Sequence, residues 1–264
     1  MRPFTFHRPA SVKDAIALLK ANEGGKLLAG GQSLLPVLKL DMAQPSDLIS
    51  LAGVRELHDV RVDGDRVVIG ALVTHDEVSR NAEVQKRIPA LATLASGIGD
   101  AQVRNRGTIG GSLAHADPSA DYPAAVLALD ATIATDRRKI AAEDFFTGLF
   151  ETALERDEII TAVHFPVPQA AAYMKYGHRA SKYAVVGVMV AKTGGGVRVA
   201  VTGAGPKAFR VEAMERALAK NFSPAALDGI AVRSGELNSD TEASAEYRAH
   251  LIGVMARRAV GACK

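Results

Sequence analysis

The sequence is poor in the residues that several classes of site require. It has one cysteine in 264 residues, no tryptophan, and only 5% aromatic residues. The single thiol, Cys263, excludes an internal disulfide framework, a zinc finger and a self-contained iron–sulfur cluster, because each of these needs more than one cysteine. The scarcity of aromatic side chains argues against a platform on which nucleic-acid bases stack.

Long apolar runs and blocks of like charge are also missing. The longest apolar run, Ala184 to Ala191, is far shorter than a membrane span. The 32 basic and 29 acidic residues are dispersed, whereas a nucleic-acid-binding protein is expected to show a basic stripe. The first residues lack the apolar segment of a signal peptide, and a lone thiol fits a reducing compartment. We therefore expect a cytoplasmic protein with no membrane span and no nucleic-acid partner.

What is present is the balance of an ordinary core-forming protein, with 48% hydrophobic and 23% charged residues. The length favours one larger unit plus a smaller one. In the first fifty residues the pattern predicts a small β-α-β-α-β unit. Ser11 would cap its first helix, strands are predicted at 26–29 and 47–51, and a second helix at 34–40.

From about residue 60 the pattern changes. Thr74 and Glu77 form a capping box for a helix that begins at His75. Strands are predicted at 66–73 and 159–165, helices at 89–97 and 125–129, and residues 109–111 are interpreted as part of a polar loop region.

Pro166 and Pro168 mark the predicted domain boundary, because two prolines and a short alanine run follow a strand. Beyond this point the pattern predicts antiparallel strands at 172–176, 185–191 and 197–201, then amphipathic helices at 210–218 and 243–260. Strands followed by helices predict an α+β domain.

Two glycine-containing segments are the strongest candidates for a binding site. We call Ala29–Ser33 the first glycine loop and Thr108–Ser112 the second glycine loop. Paired glycines allow positive φ and let backbone N–H groups approach an anion such as a pyrophosphate. After the first loop a helix begins at once, which would direct its positive end toward the same anion. Either segment alone could be only a turn, but the pair favours an extended dinucleotide held between subdomains.

Both loops stand in longer segments, 28–36 and 104–123, that resemble the two FAD loops of molybdenum-hydroxylase flavoprotein subunits. This is the family of xanthine dehydrogenase and aerobic carbon monoxide dehydrogenase. The opening 6–9 and the closing 246–248 and 254–259 are similar as well, so the resemblance covers nearly the whole chain.

The resemblance implies an α+β fold. A PCMH-type FAD-binding domain would span residues 1–168, built of two α/β subdomains at about 1–55 and 56–168. A C-terminal α+β domain like that of carbon monoxide dehydrogenase flavoproteins would span 169–264.

The resemblance also assigns residues to non-covalent FAD. The residues that would wrap the pyrophosphate and its neighbouring sugar groups are Ala29, Gly30, Gly31, Gln32, Ser33 and Leu34 with Thr108, Ile109, Gly110, Gly111 and Ser112. Those that match further cofactor positions are Asp117 and Asp121 for ribityl or ribose hydroxyls, Ile98 and Ile160 for the rings, Lys175 as a nearby cation and Tyr183 over the isoalloxazine. From the residues alone, Asp117 could be a turn residue, Lys175 a solvated strand residue and Tyr183 an aromatic at the edge of the core.

Gln32 bears on how the flavin is held. Related oxidases with covalent flavin carry a histidine at the first loop or a cysteine nearby, whereas Gln32 is an amide without nucleophilic character. The FAD is therefore expected to be bound non-covalently.

By resemblance, the chain is an electron-transfer subunit with no catalytic residue and no metal of its own. A large molybdopterin subunit would oxidise the substrate and a small subunit with [2Fe–2S] clusters would pass electrons to the FAD, in a dimer of heterotrimers. One alternative is a stand-alone flavin oxidoreductase on the same fold, which is disfavoured because no paired acid and base is evident near the loops. Another is a scaffold whose loops have lost flavin.

Overall fold

Two predicted helix starts lie where the sequence places capping side chains. In the computed structural model, which describes residues 2–263, the Ser11 hydroxyl accepts a hydrogen bond from the Asp14 N–H at 3.1 Å. The predicted capping box of Thr74 and Glu77 forms in both directions. Such side-chain oxygens satisfy N–H groups that the first helical turn leaves unpaired.

The first sheet is the predicted β-α-β-α-β unit. Its elements are β1 Thr5–His7, α1 Val12–Ala21, β2 Gly25–Leu28, α2 Leu34–Lys39 and β3 Asp47–Ser50. The parallel strand order is β1-β3-β2, so the most buried strand is central. Ala15 and Leu19 bury one face of α1 against Ile49.

The second sheet has five antiparallel strands in the order β4-β5-β10-β6-β7. The elements of this region are β4 Val60–Asp63, β5 Arg66–Gly70, α3 His75–Arg80, α4 Ala82–Arg87, α5 Pro89–Ser96, α6 Ala101–Arg104, α7 Ile109–His115, α8 Tyr122–Ala128, β6 Thr132–Thr135, β7 Lys139–Ala141, α9 Ala142–Phe145, β8 Phe146–Gly148, β9 Glu151–Thr152 and β10 Ile160–Pro166. The main core lies between this sheet and its helices, with Leu91, Tyr122 and Phe165 fully buried.

Two predictions in this region are wrong. The strand predicted to reach Val73 ends at Gly70, and residues 109–111 are the first turn of α7, not a loop. Both errors have one cause. The carbonyls of Ala71 and Val73 accept hydrogen bonds from Gly110 and Ile109, so the segment that would extend β5 instead anchors the start of α7.

The third sheet is antiparallel, in the order β11-β12-β13-β14. Its region contains β11 Ala170–Gly177, β12 Ala184–Thr193, β13 Gly196–Thr202, β14 Phe209–Arg210, α10 Glu212–Lys220 and α11 Ala245–Ala262. The predicted strands and helices are confirmed. Leu251, Ile252 and Met255 of α11 share a core with Val188 and Val190 of β12.

The predicted boundary at Pro168 lies between β10 and β11, which belong to different sheets. The division of the chain into two domains at this point stays a prediction. Within residues 2–263, no helix has both the length and the apolar character that crossing a bilayer requires.

Candidate functional site

The fold brings the two glycine loops into direct contact. A Cβ added to Gly30 would lie 2.0 Å from the Arg106 carbonyl oxygen and 2.8 Å from Gly107 Cα. A Cβ added to Gly111 would lie 3.5 Å from the Cβ of Ala29. The first loop therefore rests on the backbone that leads into the second, and only glycine at position 30 permits this approach.

The first glycine loop presents unpaired donors. Within residues 2–263, no acceptor receives the backbone N–H groups of Gly30, Gly31, Gln32, Ser33 or Leu34. Gly31 has a φ of +75°, and the Ser33 side chain makes no capping bond to α2. A turn with several free N–H groups at the start of a helix suits an anionic group such as a pyrophosphate.

The second glycine loop has its donors already bound. The N–H groups of Gly110 and Ile109 go to the carbonyls of Ala71 and Val73, at 2.9 and 3.1 Å. Those of Gly111 and Ser112 go to the hydroxyl and the carbonyl of Thr108, at 3.1 and 3.0 Å. This loop is therefore a rigid support for the first loop, and its Ser112 side chain is half-buried.

Asp121 and Lys175 form a buried pair. Asp121 is 4% exposed, and its Oδ1 accepts from the Tyr173 hydroxyl at 2.5 Å and lies 2.9 Å from Lys175 Nζ. Burial raises the pKa of Asp121, and the Lys175 charge opposes this. Lys175 Nζ also donates to the carbonyls of Gly97 and Lys182, both at 2.9 Å, so its three donors are used within the protein.

Tyr183 and Asp117 lie beside the first glycine loop. The Tyr183 hydroxyl faces the Ser33 side chain, and burial together with the nearby Asp117 charge raises the pKa of Tyr183. Asp117 Oδ1 accepts from the Ser119 N–H at 2.8 Å, which closes a turn and leaves the other carboxylate oxygen available. Tyr183 is 41% exposed, so its ring can still contact a ligand.

The two predicted ring contacts differ in accessibility. Ile98 is half-buried and follows Gly97, the residue whose carbonyl binds Lys175. Ile160 belongs to the main core and is 5% exposed, so it offers a ligand little surface. It reaches the second loop only indirectly, because the neighbouring Thr161 carbonyl binds the Ala71 N–H.

A polar cavity of about 240 Å³ adjoins Asp117 and Tyr183, and the sequence interpretation missed most of its lining. It is lined by Asp117, Ser119, His178, Ser181, Tyr183, Ala184, Val185, Asp240, Glu242 and Arg248. Two of these residues form an ion-pair contact, since His178 Nε2 lies 3.4 Å from Glu242 Oε2. The lining comes from three distant segments, and no local motif marked them.

The residues present fit a dinucleotide. Free amides in the first loop and a glycine-lined contact between the loops suit a pyrophosphate. Among the residues that the structure describes, no group of three or more histidine, cysteine or acidic residues is placed to hold a metal ion.

Comparison with known proteins agrees with this geometry. Residues 2–168 match the family described as the FAD binding domain in molybdopterin dehydrogenase, and residues 171–263 match the CO dehydrogenase flavoprotein C-terminal domain. The chain is 38% identical to the carbon monoxide dehydrogenase medium chain of Hydrogenophaga pseudoflava, covering 98% of this chain and 96% of the relative. It is 30% identical to the xanthine dehydrogenase FAD-binding subunit of Escherichia coli O157:H7, covering 97% and 94%.

Solved structures show the same similarity in three dimensions. A chain of carbon monoxide dehydrogenase from Hydrogenophaga pseudoflava superposes with a TM-score of 0.90 at 38% identity, over 99% of this chain and 98% of that one. A chain of quinoline 2-oxidoreductase from Pseudomonas putida 86 superposes with a TM-score of 0.89 at 29% identity, over 99% and 96%.

Proposed function

The chain belongs to the FAD-binding family of molybdopterin dehydrogenases, a family of oxidoreductase subunits, and from this premise we propose that it transfers electrons within a molybdenum hydroxylase or dehydrogenase complex. FAD, held non-covalently, supplies the redox chemistry. Electrons would come from [2Fe–2S] clusters of one partner subunit and leave to an external acceptor. The observation that carries the proposal is the contact of a donor-rich glycine loop with a rigid second loop.

The residues of this chain would bind and orient the cofactor. The free N–H groups of the first loop, from Gly30 to Leu34, would bind the pyrophosphate. Ser112 and Asp117 would accept or donate hydrogen bonds at sugar hydroxyls, as carboxylates and hydroxyls do. Tyr183 would cover one face of the isoalloxazine ring, with Ile98 as a second apolar contact. Lys175 and Asp121 would hold the segments that carry these two residues.

The partners are proposed from the names of the relatives. They include the carbon monoxide dehydrogenase medium chain and the nicotine 6-hydroxylase medium subunit. We propose a large molybdopterin subunit and a small [2Fe–2S] subunit, assembled as a dimer of heterotrimers in the cytoplasm. The single cysteine supports this division, because cluster ligands must then lie on another chain.

The same proposal includes the division of the chain. Residues 1–168 would form the FAD-binding domain, with subdomains at about 1–55 and 56–168, and residues 169–264 the C-terminal domain. The family matches at 2–168 and 171–263 support it. The C-terminal part would contribute Tyr183 and Lys175 to the site.

An absorbance spectrum of the purified chain, before and after acid precipitation, tests the proposal. We expect flavin bands near about 370 and 450 nm that pass into the supernatant, with FAD as the released compound. Bands that stay with the precipitate would contradict non-covalent binding. No uptake of added FAD would contradict the proposal as a whole, and substrate turnover by the isolated chain would favour a stand-alone flavin oxidoreductase.

A further inference from the structure

Tyr183 lies at the end of a short connection between β11 and β12, residues 178–183, which we call the Tyr183 loop. The His178 N–H donates to the Tyr183 carbonyl at 2.8 Å, and the Lys182 N–H donates to the His178 carbonyl at 3.0 Å. The position of Tyr183 therefore depends on how this loop is closed.

The His178 ring closes the loop from inside. Its Nδ1 receives the N–H groups of Ser181 and Ala180, at 3.0 and 3.3 Å, and the Ser181 hydroxyl lies at 3.0 Å. Two backbone donors converge on one nitrogen, so Nδ1 must be unprotonated. The ring proton then belongs to Nε2, which faces Glu242 Oε2 at 3.4 Å.

The loop is held against its own backbone preference. Lys182 has a φ of +63°, a left-handed conformation that is unfavourable for a residue with a side chain. Its carbonyl accepts from Lys175 Nζ at 2.9 Å, which ties one end of the loop to Asp121 and Gly97. His178 supplies the corresponding restraint at the other end.

The product of this closure is a defined position for Tyr183. The hydroxyl of Tyr183 faces Ser33, whose own side chain is free of helix capping. Ala184, the next residue, donates its N–H to the Ser119 carbonyl at 3.1 Å. The loop thus joins the third sheet to the first glycine loop through one aromatic side chain.

We propose that His178 is a positioning residue: the acceptor nitrogen Nδ1 of its ring holds the Tyr183 loop in the conformation that places Tyr183 against the first glycine loop. The part of this inference that concerns FAD rests on the proposed function, whereas the part that concerns loop order does not.

Hydrogen–deuterium exchange of the full FAD-free chain tests the loop directly. We expect His178→Ala to speed exchange of the amides at positions 178 and 182 at least about tenfold, with the amides of β12 unchanged as an internal control for folding. His178→Asn should keep protection, since an asparagine oxygen accepts from the N–H groups two and three residues later.

FAD titration, followed by quenching of flavin fluorescence, tests the link to Tyr183. We expect His178→Ala to weaken FAD binding about tenfold, and to have no further effect when Tyr183 is already alanine. Equal effects in the two backgrounds, or unchanged amide exchange in His178→Ala, would overturn the inference. If the natural chain takes up no FAD, the proposed function fails, and the exchange experiment still decides the role of His178.

Discussion

The two glycine loops have similar sequences and opposite backbone chemistry. In Ala29–Ser33 the N–H groups from residue 30 onward have no acceptor among residues 2–263, and Ser33 does not cap its helix. In Thr108–Ser112 the N–H groups from Ile109 onward are bound within the protein, and Thr108 caps α7. The difference shows that paired glycines serve two purposes here. The first pair leaves its donors unpaired among residues 2–263 and, at Gly30, lets the two loops touch. The second pair, at Gly110, lets α7 pack against Ala71.

The largest effect is expected from a substitution at the contact between the two glycine loops. In Gly30→Ala the new methyl group would overlap the Arg106 carbonyl, so the two loops must separate. We expect a loss of about 3 kcal/mol in the free energy of unfolding, at the upper end of overpacking effects, and loss of FAD binding. Thermal unfolding and FAD titration measure both. Gly194→Ala is the matched control, because a Cβ there meets nothing within 4 Å. A Gly30→Ala chain as stable as this control would show that the loops do not rest on each other.

Next in size is the effect of pH on stability through His75, which lies beside the segment that leads into the second glycine loop. The His75 N–H donates to the Gly107 carbonyl at 2.9 Å, and its ring is 5% exposed. Burial, and then the charge of Arg104, lower the pKa of His75 from 6.5 to about 4. Between pH 6.5 and about 4, His75 is therefore protonated in the unfolded chain but stays neutral in the folded chain. The resulting stability is complete above pH 6.5 and is lost as pH falls to about 4.

The size of this effect is about 3 kcal/mol, from the size of the pKa shift. Chemical unfolding at a series of pH values measures it. His75→Gln carries no charge at any of these pH values, so its stability should fall less between pH 6.5 and 4. Parallel curves for the two chains would mean that His75 is not the group responsible.

The smallest effects are expected from removing the hydroxyl groups of Thr108 and Ser33, and they should differ between the two loops. Thr108→Val removes a helix cap and should cost about 1 kcal/mol of stability, with a small effect on FAD affinity. Ser33→Ala removes a hydroxyl that caps nothing, so it should leave stability nearly unchanged and weaken FAD binding. Unfolding and FAD titration are measured for both variants, and we expect the first variant to lose mainly stability and the second mainly FAD affinity. The reverse pattern would mean that the roles of the two loops have been exchanged.

The regular elements were largely predictable from local patterns, and the exceptions have a shared cause. Capping at Ser11 and Thr74, and the strands of the third sheet, follow from signals within a few residues. The predicted end of β5 and the predicted loop at 109–111 failed because residues 71–73 bind the start of α7. That pairing joins segments nearly forty residues apart, and no local pattern contains it.

The candidate site divides in the same way. The glycine loops, Asp117 and Tyr183 were predicted from the sequence, and the structure brings them together. His178 and Glu242 were missed, since a single histidine between β11 and β12 has no motif that links it to a glutamate 64 positions later. The FAD-binding roles of all these residues remain predictions until the cofactor is measured.

By itself the sequence determined the helix caps, the alternation of strands, the absence of thiol ligands and the two glycine segments, because these depend on neighbouring residues and on composition. Only the tertiary structure decided which glycine loop has free N–H groups, that Gly30 rests on the backbone at 106–107, and that His178 closes the loop before Tyr183. The physical reason is that a backbone donor is free or bound according to which distant acceptor the fold places beside it.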